Sequence, residues 1–80
     1  MNNLISVKDA IWIKDFLFYV ELSDDSRGIV DFQELVDKHP MFKQIVDDDK
    51  QEYYAVTDNY TIEWYNGADI APEWIKEHLH

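Results

Sequence analysis

The stretch Phe16–Leu22, FLFYVEL, decides the fold because its side chains alternate between two sets. One set comprises Phe16, Phe18, Val20 and Leu22, and the other comprises Leu17, Tyr19 and Glu21. Such alternation in aromatic and β-branched residues is typical of a strand with one buried face. We therefore predict a β-strand in which the Phe16 set faces the core and the Leu17 set faces outward.

The flanking segments extend this strand into a sheet. Upstream, apolar residues occupy odd positions, namely Ile5, Val7, Ile11 and Ile13. Lys14-Asp15 is a candidate two-residue turn, and Ser23–Ser26 is a cluster of turn-forming residues. Arg27–Phe32 then has the composition of a third strand. Residues 1–32 are thus predicted to form a three-stranded antiparallel meander.

Residues 32–52 are predicted to form short helices and an acidic loop. Asp31 is placed to cap a helix over Phe32–Lys38, with Glu34 as its reciprocal partner. His39-Pro40 ends this helix, since the residue before proline avoids helical geometry. A second helical turn follows at Met41, Phe42 and Ile45. Asp47–Asp49 form the acidic loop.

The last third is predicted to contain a hairpin over residues 53–65 that turns at Asp58–Tyr60, then a turn and a helix over residues 66–80. Asn66-Gly67 is the strongest turn signal, because glycine tolerates positive φ. Asp69 is a candidate for the cap position of the helix or a position near it, and Pro72 suits the first turn of the helix. The whole chain, residues 1–80, is therefore predicted to be one small two-layer α+β domain. Its mainly antiparallel sheet, a meander plus a hairpin, carries short helices on one face.

Composition narrows the classes of function. The chain has 80 residues, no cysteine and a formal net charge of −10. Disulfides and thiolate metal sites are excluded, and a cytoplasmic location is expected because neither a signal peptide nor a membrane span is evident. Excess negative charge repels nucleic acid and anionic membranes, whereas it speeds association with a basic protein. The alternative is that the charge serves solubility alone.

No motif for catalysis or cofactor binding is evident. The chain has no cysteine nucleophile, no nucleophile elbow and no glycine-rich phosphate loop. His39, His78 and His80 are not spaced as metal ligands, and Asp47–Asp49 lack the alternating ligands of a calcium loop. We therefore expect neither an enzyme, nor a metal site, nor a bound cofactor.

The second face of the predicted sheet is the best indication of function. Trp12, Leu17 and Tyr19 are predicted to lie opposite the Phe16 set, where they form a candidate partner-binding patch. Asp47, Asp48 and Asp49 would steer a basic partner toward it. The alternative is scattered exposure of residues that strands favour in any case.

Ile62–Glu73, IEWYNGADIAPE, resembles the carboxyl-terminal signature of the bacterial domain-of-unknown-function family DUF2442. That signature reads I-x-W-P-N-G-A-D, then Ile or Leu, then Ala or Ser, then Pro. Upstream, Val30–Leu35 is similar to the family's V-D-F-x-E-L segment, so the resemblance covers nearly the whole chain. Tyr65 stands where the family usually has proline, and the meander turn lacks the family's usual glycine.

The resemblance implies a small α+β fold without an established activity. Family members are often encoded beside another small protein, an arrangement that looks like a toxin–antitoxin pair with the acidic member as antitoxin. The signature residues are either structural or part of a binding site: Trp64, Asn66, Gly67, Asp69 and Pro72. Two further hypotheses remain open. One is a small-ligand or enzymatic site around Asn66, Asp69 and Glu73, and the other is a homodimer through the same sheet face.

Overall fold

A computed structural model describes residues 5–57 and 61–80 and contains two small antiparallel sheets. The first sheet has the order β1-β2-β3, and the second has the order β4-β5-β6. The strands are β1 (Val7–Lys14), β2 (Leu17–Leu22), β3 (Arg27–Asp31), β4 (Tyr54–Val56), β5 (Ile62–Trp64) and β6 (Asp69–Ile70). The helices are α1 (Gln33–Val36), α2 (Pro40–Asp47) and α3 (Pro72–Glu77). No helix in the described ranges is long and apolar enough to span a bilayer.

The α+β class, the meander and the short helices agree with the sequence prediction. The hairpin is also present as β4 and β5, although its predicted turn at Asp58–Tyr60 lies outside the described residues. The second sheet contains a strand that was not predicted, because β6 pairs with β5 immediately after the Asn66-Gly67 turn. Asp69 therefore lies in a strand, and the prediction that it caps α3 is wrong: the cap position is Ala71.

The core is an aromatic cluster built around Trp64 of β5. Its indole ring lies 5.4–5.8 Å, between ring centroids, from every phenylalanine of the chain, in near-perpendicular arrangements. These residues are Phe16, Phe18, Phe32 and Phe42. Edge-to-face packing of this kind adds about 0.5–1.5 kcal/mol per pair beyond simple burial. The indole N–H of Trp64 also donates to the carbonyl oxygen of Gln51 at 2.9 Å. Trp64 is thus the structural anchor of the signature.

The first hairpin turn differs by one residue from the prediction. The turn residues are Asp15 and Phe16, and Asp15 adopts a φ of 48°. Phe16 is therefore not part of β2, yet its side chain is 1% exposed because the turn folds it against the core. Asp31 is the last residue of β3, and the cap position of α1 is Phe32, so the prediction that Asp31 caps this helix is wrong by one residue. Its carboxylate nevertheless accepts a 2.9 Å hydrogen bond from the N–H of Gln33, the first residue of α1. The helix is shorter than predicted and covers Gln33–Val36.

Candidate functional site

The surface of the first sheet that faces away from Trp64, here called the outer face, carries an apolar row. Ile11, Tyr19 and Ile29 are direct cross-strand neighbours on β1, β2 and β3. Ile11 is 51% exposed and Ile29 is 36% exposed, while Tyr19 between them is half-buried by its neighbours. The half-buried Leu17 lies on the same face toward the first turn, opposite Lys14 of β1, and the exposed Ile13 lies at the register shift between Trp12 and Lys14. No element in the described parts of the chain covers this row.

Trp12 does not belong to the outer face, so this part of the patch prediction is wrong. Its register partner is Phe18, a core residue, and Trp12 packs against the edge of the core. The indole N–H of Trp12 donates to the carbonyl oxygen of Asp15 at 2.9 Å. Leu17 and Tyr19 do lie on the outer face, as the alternation in β2 predicted.

A β-bulge in β1 explains why sequence reasoning missed Ile11, whereas Ile29 on β3 was missed because its face follows from its pairing with Tyr19. The register shifts between Val7 and Asp9, so that Val7 faces the core while the following odd positions face outward. A bulge inserts one unpaired residue and reverses the face of the side chains that follow it, here up to a second register shift between Trp12 and Lys14. Ile11 therefore joins the outer face. The signal available in the sequence was the polar pair Lys8-Asp9, which interrupts the apolar pattern.

Charged side chains flank the apolar row. Asp9, Glu21 and Arg27 form the adjacent row across the three strands, and Asp31 lies opposite Leu17. The carboxylate of Glu21 forms ion pairs with the ammonium of Lys8, at 3.6 Å, and with the guanidinium of Arg27, at 3.9 Å. The outer face thus combines an apolar centre with a charged rim, the general anatomy of a protein interface.

The predicted acidic loop, Asp47–Asp49, is the carboxyl-terminal end of α2. Asp47 forms an ion pair with Lys43 at 2.9 Å, and Asp49 adopts a φ of 55°. Carboxylates at this end of a helix oppose the helix dipole, so the cluster weakens rather than stabilises α2. Its negative charge is available for long-range attraction of a cationic partner.

Asp48 of this cluster is connected to the signature through Tyr65, whose hydroxyl donates a hydrogen bond to the Asp48 carboxylate. This hydrogen bond raises the pKa of Tyr65 to about 12, because ionisation would break the bond and place a phenolate beside a carboxylate. The ammonium of Lys50 lies 5.2 Å from the centre of the same ring. Tyr65 therefore fixes the end of α2 to the second sheet.

The signature turn is held by its own side chains. Gly67 has a φ of 89°, a conformation that favours glycine. The Asn66 side-chain amide donates to the carbonyl oxygen of Met41 at 2.9 Å, and its oxygen accepts from the Ala68 N–H at 3.1 Å. Pro72 is the first residue of α3, as predicted. The turn thus fastens α2 to the second sheet.

A half-open cavity of about 430 Å³ lies between this turn, α2 and the beginning of α3. Apolar residues form most of its wall, including Leu35, Phe42 and Trp74. Asp69 of the signature and His39 before α2 are the ionisable residues that line it. Asn66 and Glu73, the other members of the predicted ligand site, do not line the cavity.

The histidines are dispersed. His78 stacks on Trp74 at 3.8 Å between ring centroids, and its Nδ1 atom lies 2.7 Å from the carbonyl oxygen of Trp74. His80 makes two backbone hydrogen bonds with Ile29. Within residues 5–57 and 61–80, no three His, Asp or Glu side chains are grouped closely enough to hold a metal ion.

Comparison with known proteins gives one family. The model of the family described as "Protein of unknown function (DUF2442)" matches residues 7–80, nearly the whole chain. No curated protein matches the chain, and no solved structure matches it.

Proposed function

The chain belongs to the DUF2442 family, and we propose that it is a protein-interaction module that binds a basic partner through the outer face of its first sheet. The observation that carries this proposal is the uncovered row Ile11–Tyr19–Ile29. The proposed activity is binding without catalysis.

The apolar row has the properties of the centre of an interface. Its isoleucines are β-branched, so few rotamers are lost when a partner orders them. Tyr19 offers a large ring with a polar tip, a residue type that is enriched at binding hot spots. Complete burial of one such side chain contributes about 1.5–3 kcal/mol. Leu17 extends the same surface.

The charges favour a basic partner. The chain carries a formal net charge of −10, and three acids, Asp9, Glu21 and Asp31, flank the apolar row together with two bases, Lys14 and Arg27. Complementary charge raises the association rate and excludes acidic competitors. The end of α2, Asp47–Asp49, adds to the attractive field. The same charge disfavours nucleic acid as a direct ligand.

The partner that we propose is the small protein encoded by the neighbouring gene. This step rests on the gene arrangement that is frequent in the family, in which the acidic member would act as the antitoxin of a two-gene pair. An acidic protein with an apolar sheet face is suited to cover a basic toxin surface. A second copy of the chain is the alternative occupant of the face. Its charge of −10 opposes self-association, however, because two acidic surfaces would meet.

Two matched variants test the interaction face. Tyr19→Lys places a cation in the centre of the outer face, whereas Tyr53→Lys makes the same change at an exposed tyrosine beside the second sheet. Both proteins are measured by calorimetry against the purified product of the neighbouring gene. We expect Tyr19→Lys to weaken binding at least about tenfold, which corresponds to about 1.4 kcal/mol, and Tyr53→Lys to bind as the wild type does.

Equal affinity of the wild type and Tyr19→Lys would contradict the proposed face, provided that circular dichroism shows both proteins folded. Absence of binding by the wild type would contradict the proposed partner. Sedimentation of the chain alone separates the alternative, because a dimer that Tyr19→Lys dissociates would assign the face to a second copy. Neutralising Asp47 and Asp49 with asparagine should slow association and leave dissociation unchanged.

A further inference from the structure

The cavity beside the signature turn is separate from the outer face of the first sheet. It lies between α2, the turn and the start of α3, and none of its lining residues belongs to β1, β2 or β3. Its volume of about 430 Å³ falls within the range of small-molecule sites, roughly 300–1,000 Å³. Its occupancy is therefore independent of the interaction proposed for the first sheet.

The cavity wall suits an apolar body. Leu35 and Phe42 are buried core residues that form part of the wall, and Ile70 adds a third buried apolar side chain. Trp74 contributes an indole that is only partly buried. Aromatic walls accept rings by offset or edge contacts and also attract cations to their faces.

The charged residues of the cavity lining determine whether a cationic or an anionic ligand is favoured. Asp69 is the acidic residue of the lining, and no Lys or Arg contributes to it. Asp69 is exposed, its cross-strand neighbour is Glu63, and its side chain makes no hydrogen bond or ion pair with any described residue. His39, the other ionisable residue, lies at the start of α2 and is exposed. An anion would meet Asp69 and the charge of the whole chain, −10, without a Lys or Arg in the lining to compensate them.

We infer that this cavity binds a small organic cation, with the apolar part against Phe42 and Trp74 and the charged group beside Asp69. The signature turn would then have two roles. Gly67 and Asn66 shape the chain so that β6 follows at once, and β6 presents Asp69 at the cavity.

Three probes with the same aromatic body test the inference. The 2-phenylethylammonium ion carries the cation, 2-phenylethanol is neutral, and phenylacetate carries an anion. Each is titrated into the folded chain while the amide signals of residues 67–74 are followed by nuclear magnetic resonance. We expect saturable shifts with 2-phenylethylammonium at the cavity residues, weaker binding of the alcohol and the weakest binding of phenylacetate.

A pair of variants isolates the role of Asp69. Asp69→Asn removes the charge at the cavity, and Glu52→Gln removes one charge from an exposed position outside the lining. Asp69→Asn should weaken binding of the ammonium probe about three- to fivefold and leave the alcohol unaffected, whereas Glu52→Gln should change neither. The inference is overturned if the ammonium probe does not bind, if phenylacetate binds equally well, or if Asp69→Asn leaves the affinity unchanged.

Discussion

The hydroxyl of Tyr54 in β4 donates a 2.8 Å hydrogen bond to the carbonyl oxygen of Ala10 in β1. The same hydroxyl accepts a 3.0 Å hydrogen bond from the N–H of Trp12. β1 is an edge strand of the first sheet, so these two backbone groups have no partner strand. One side chain therefore takes the place of a neighbouring strand and joins the two sheets, while its ring packs 4.8 Å from that of Phe18.

Replacing Tyr54 with phenylalanine should destabilise the domain by about 1–3 kcal/mol. The substitution keeps the ring but leaves the Ala10 carbonyl and the Trp12 N–H without their partner in a partly buried place. Urea unfolding followed by tryptophan fluorescence measures the free energy of unfolding. Tyr53→Phe is the control, because Tyr53 is 55% exposed. Equal losses in the two variants would show that the Tyr54 hydroxyl does not join the sheets.

The sequence was sufficient for the elements whose side-chain pattern is regular. Strand β2 was predicted correctly because its alternation runs without interruption from Leu17 to Leu22. Strand β1 was predicted, but its outward side chains were not, because the bulge after Val7 is a feature of hydrogen-bond register. A period of two cannot reveal an unpaired residue, so Trp12 was assigned to the wrong face.

The residues of the candidate sites also fall into those that local alternation predicts and those that depend on tertiary pairing. Leu17 and Tyr19 followed from local alternation, whereas Ile11 and Ile29 required knowledge of the pairing across β1, β2 and β3. The cavity at the signature brings together residues from before α2 and from after β5, which only the tertiary structure places side by side. Asp69 was identified from the signature, although its place in β6 was not predicted.

Gly28 should not accept a side chain, because the carboxyl-terminal residue of the chain lies against it. A Cβ added at Gly28 would be 2.6 Å from the carbonyl oxygen of His80. That oxygen accepts a 3.0 Å hydrogen bond from the Ile29 N–H, and the His80 N–H donates to the Ile29 carbonyl at 2.8 Å. Gly28→Ala should break this pair of hydrogen bonds and lower stability by about 1–2 kcal/mol.

Amide hydrogen exchange at Ile29 measures the loss of this hydrogen bond directly. In Gly28→Ala the Ile29 N–H loses the His80 carbonyl as its acceptor, so its exchange should be faster. The control is the same substitution in a chain that lacks His80, where the clash is absent and alanine should cost little. If Gly28→Ala destabilised both chains equally, the close approach of His80 would not be the cause.

Asp49→Gly should stabilise the domain by about 0.5–1 kcal/mol. The N–H of Lys50 donates to the carbonyl of Ile45, and the N–H of Asp49 donates to that of Val46, which is the hydrogen-bond pattern of a Schellman cap. Asp49 holds the left-handed position of this cap with a φ of 55°, where glycine is unstrained. Glycine also removes a carboxylate from the negative end of the α2 dipole.

Asp37→Gly provides the comparison for Asp49→Gly. Asp37 is also an exposed residue at the end of a helix, but its φ is −77°, so glycine relieves no strain there. The substitution only raises the conformational entropy of the unfolded chain, which lowers stability. In thermal unfolding, the melting temperature of Asp49→Gly should be higher than that of the wild type, and the melting temperature of Asp37→Gly should be lower. The reverse order would mean that the backbone conformation of Asp49 costs nothing.

The contact between Asp24 and Lys76 should make stability depend on pH in the acid range. Lys76 of α3 donates a hydrogen bond to the carboxylate of Asp24 in the turn between β2 and β3. This bond, supported by the Ser26 donor, lowers the pKa of Asp24 from 3.8 to about 2. Because the folded-state pKa is depressed, the contribution is complete above the unfolded value and is lost as the pH falls through about 2.

Lys76→Gln tests this dependence in urea titrations between neutral pH and the acid limit. The wild type should exceed the variant in free energy of unfolding by a constant amount above the ordinary pKa of an aspartate, and the two curves should converge near a pH of about 2. Lys38→Gln, which removes the same charge from an exposed 3.7 Å pair with Glu34, reports the general effect of net charge. Curves for the wild type and Lys76→Gln that stay parallel to the acid limit would contradict a contribution from Asp24, because only its protonation can remove the difference between them.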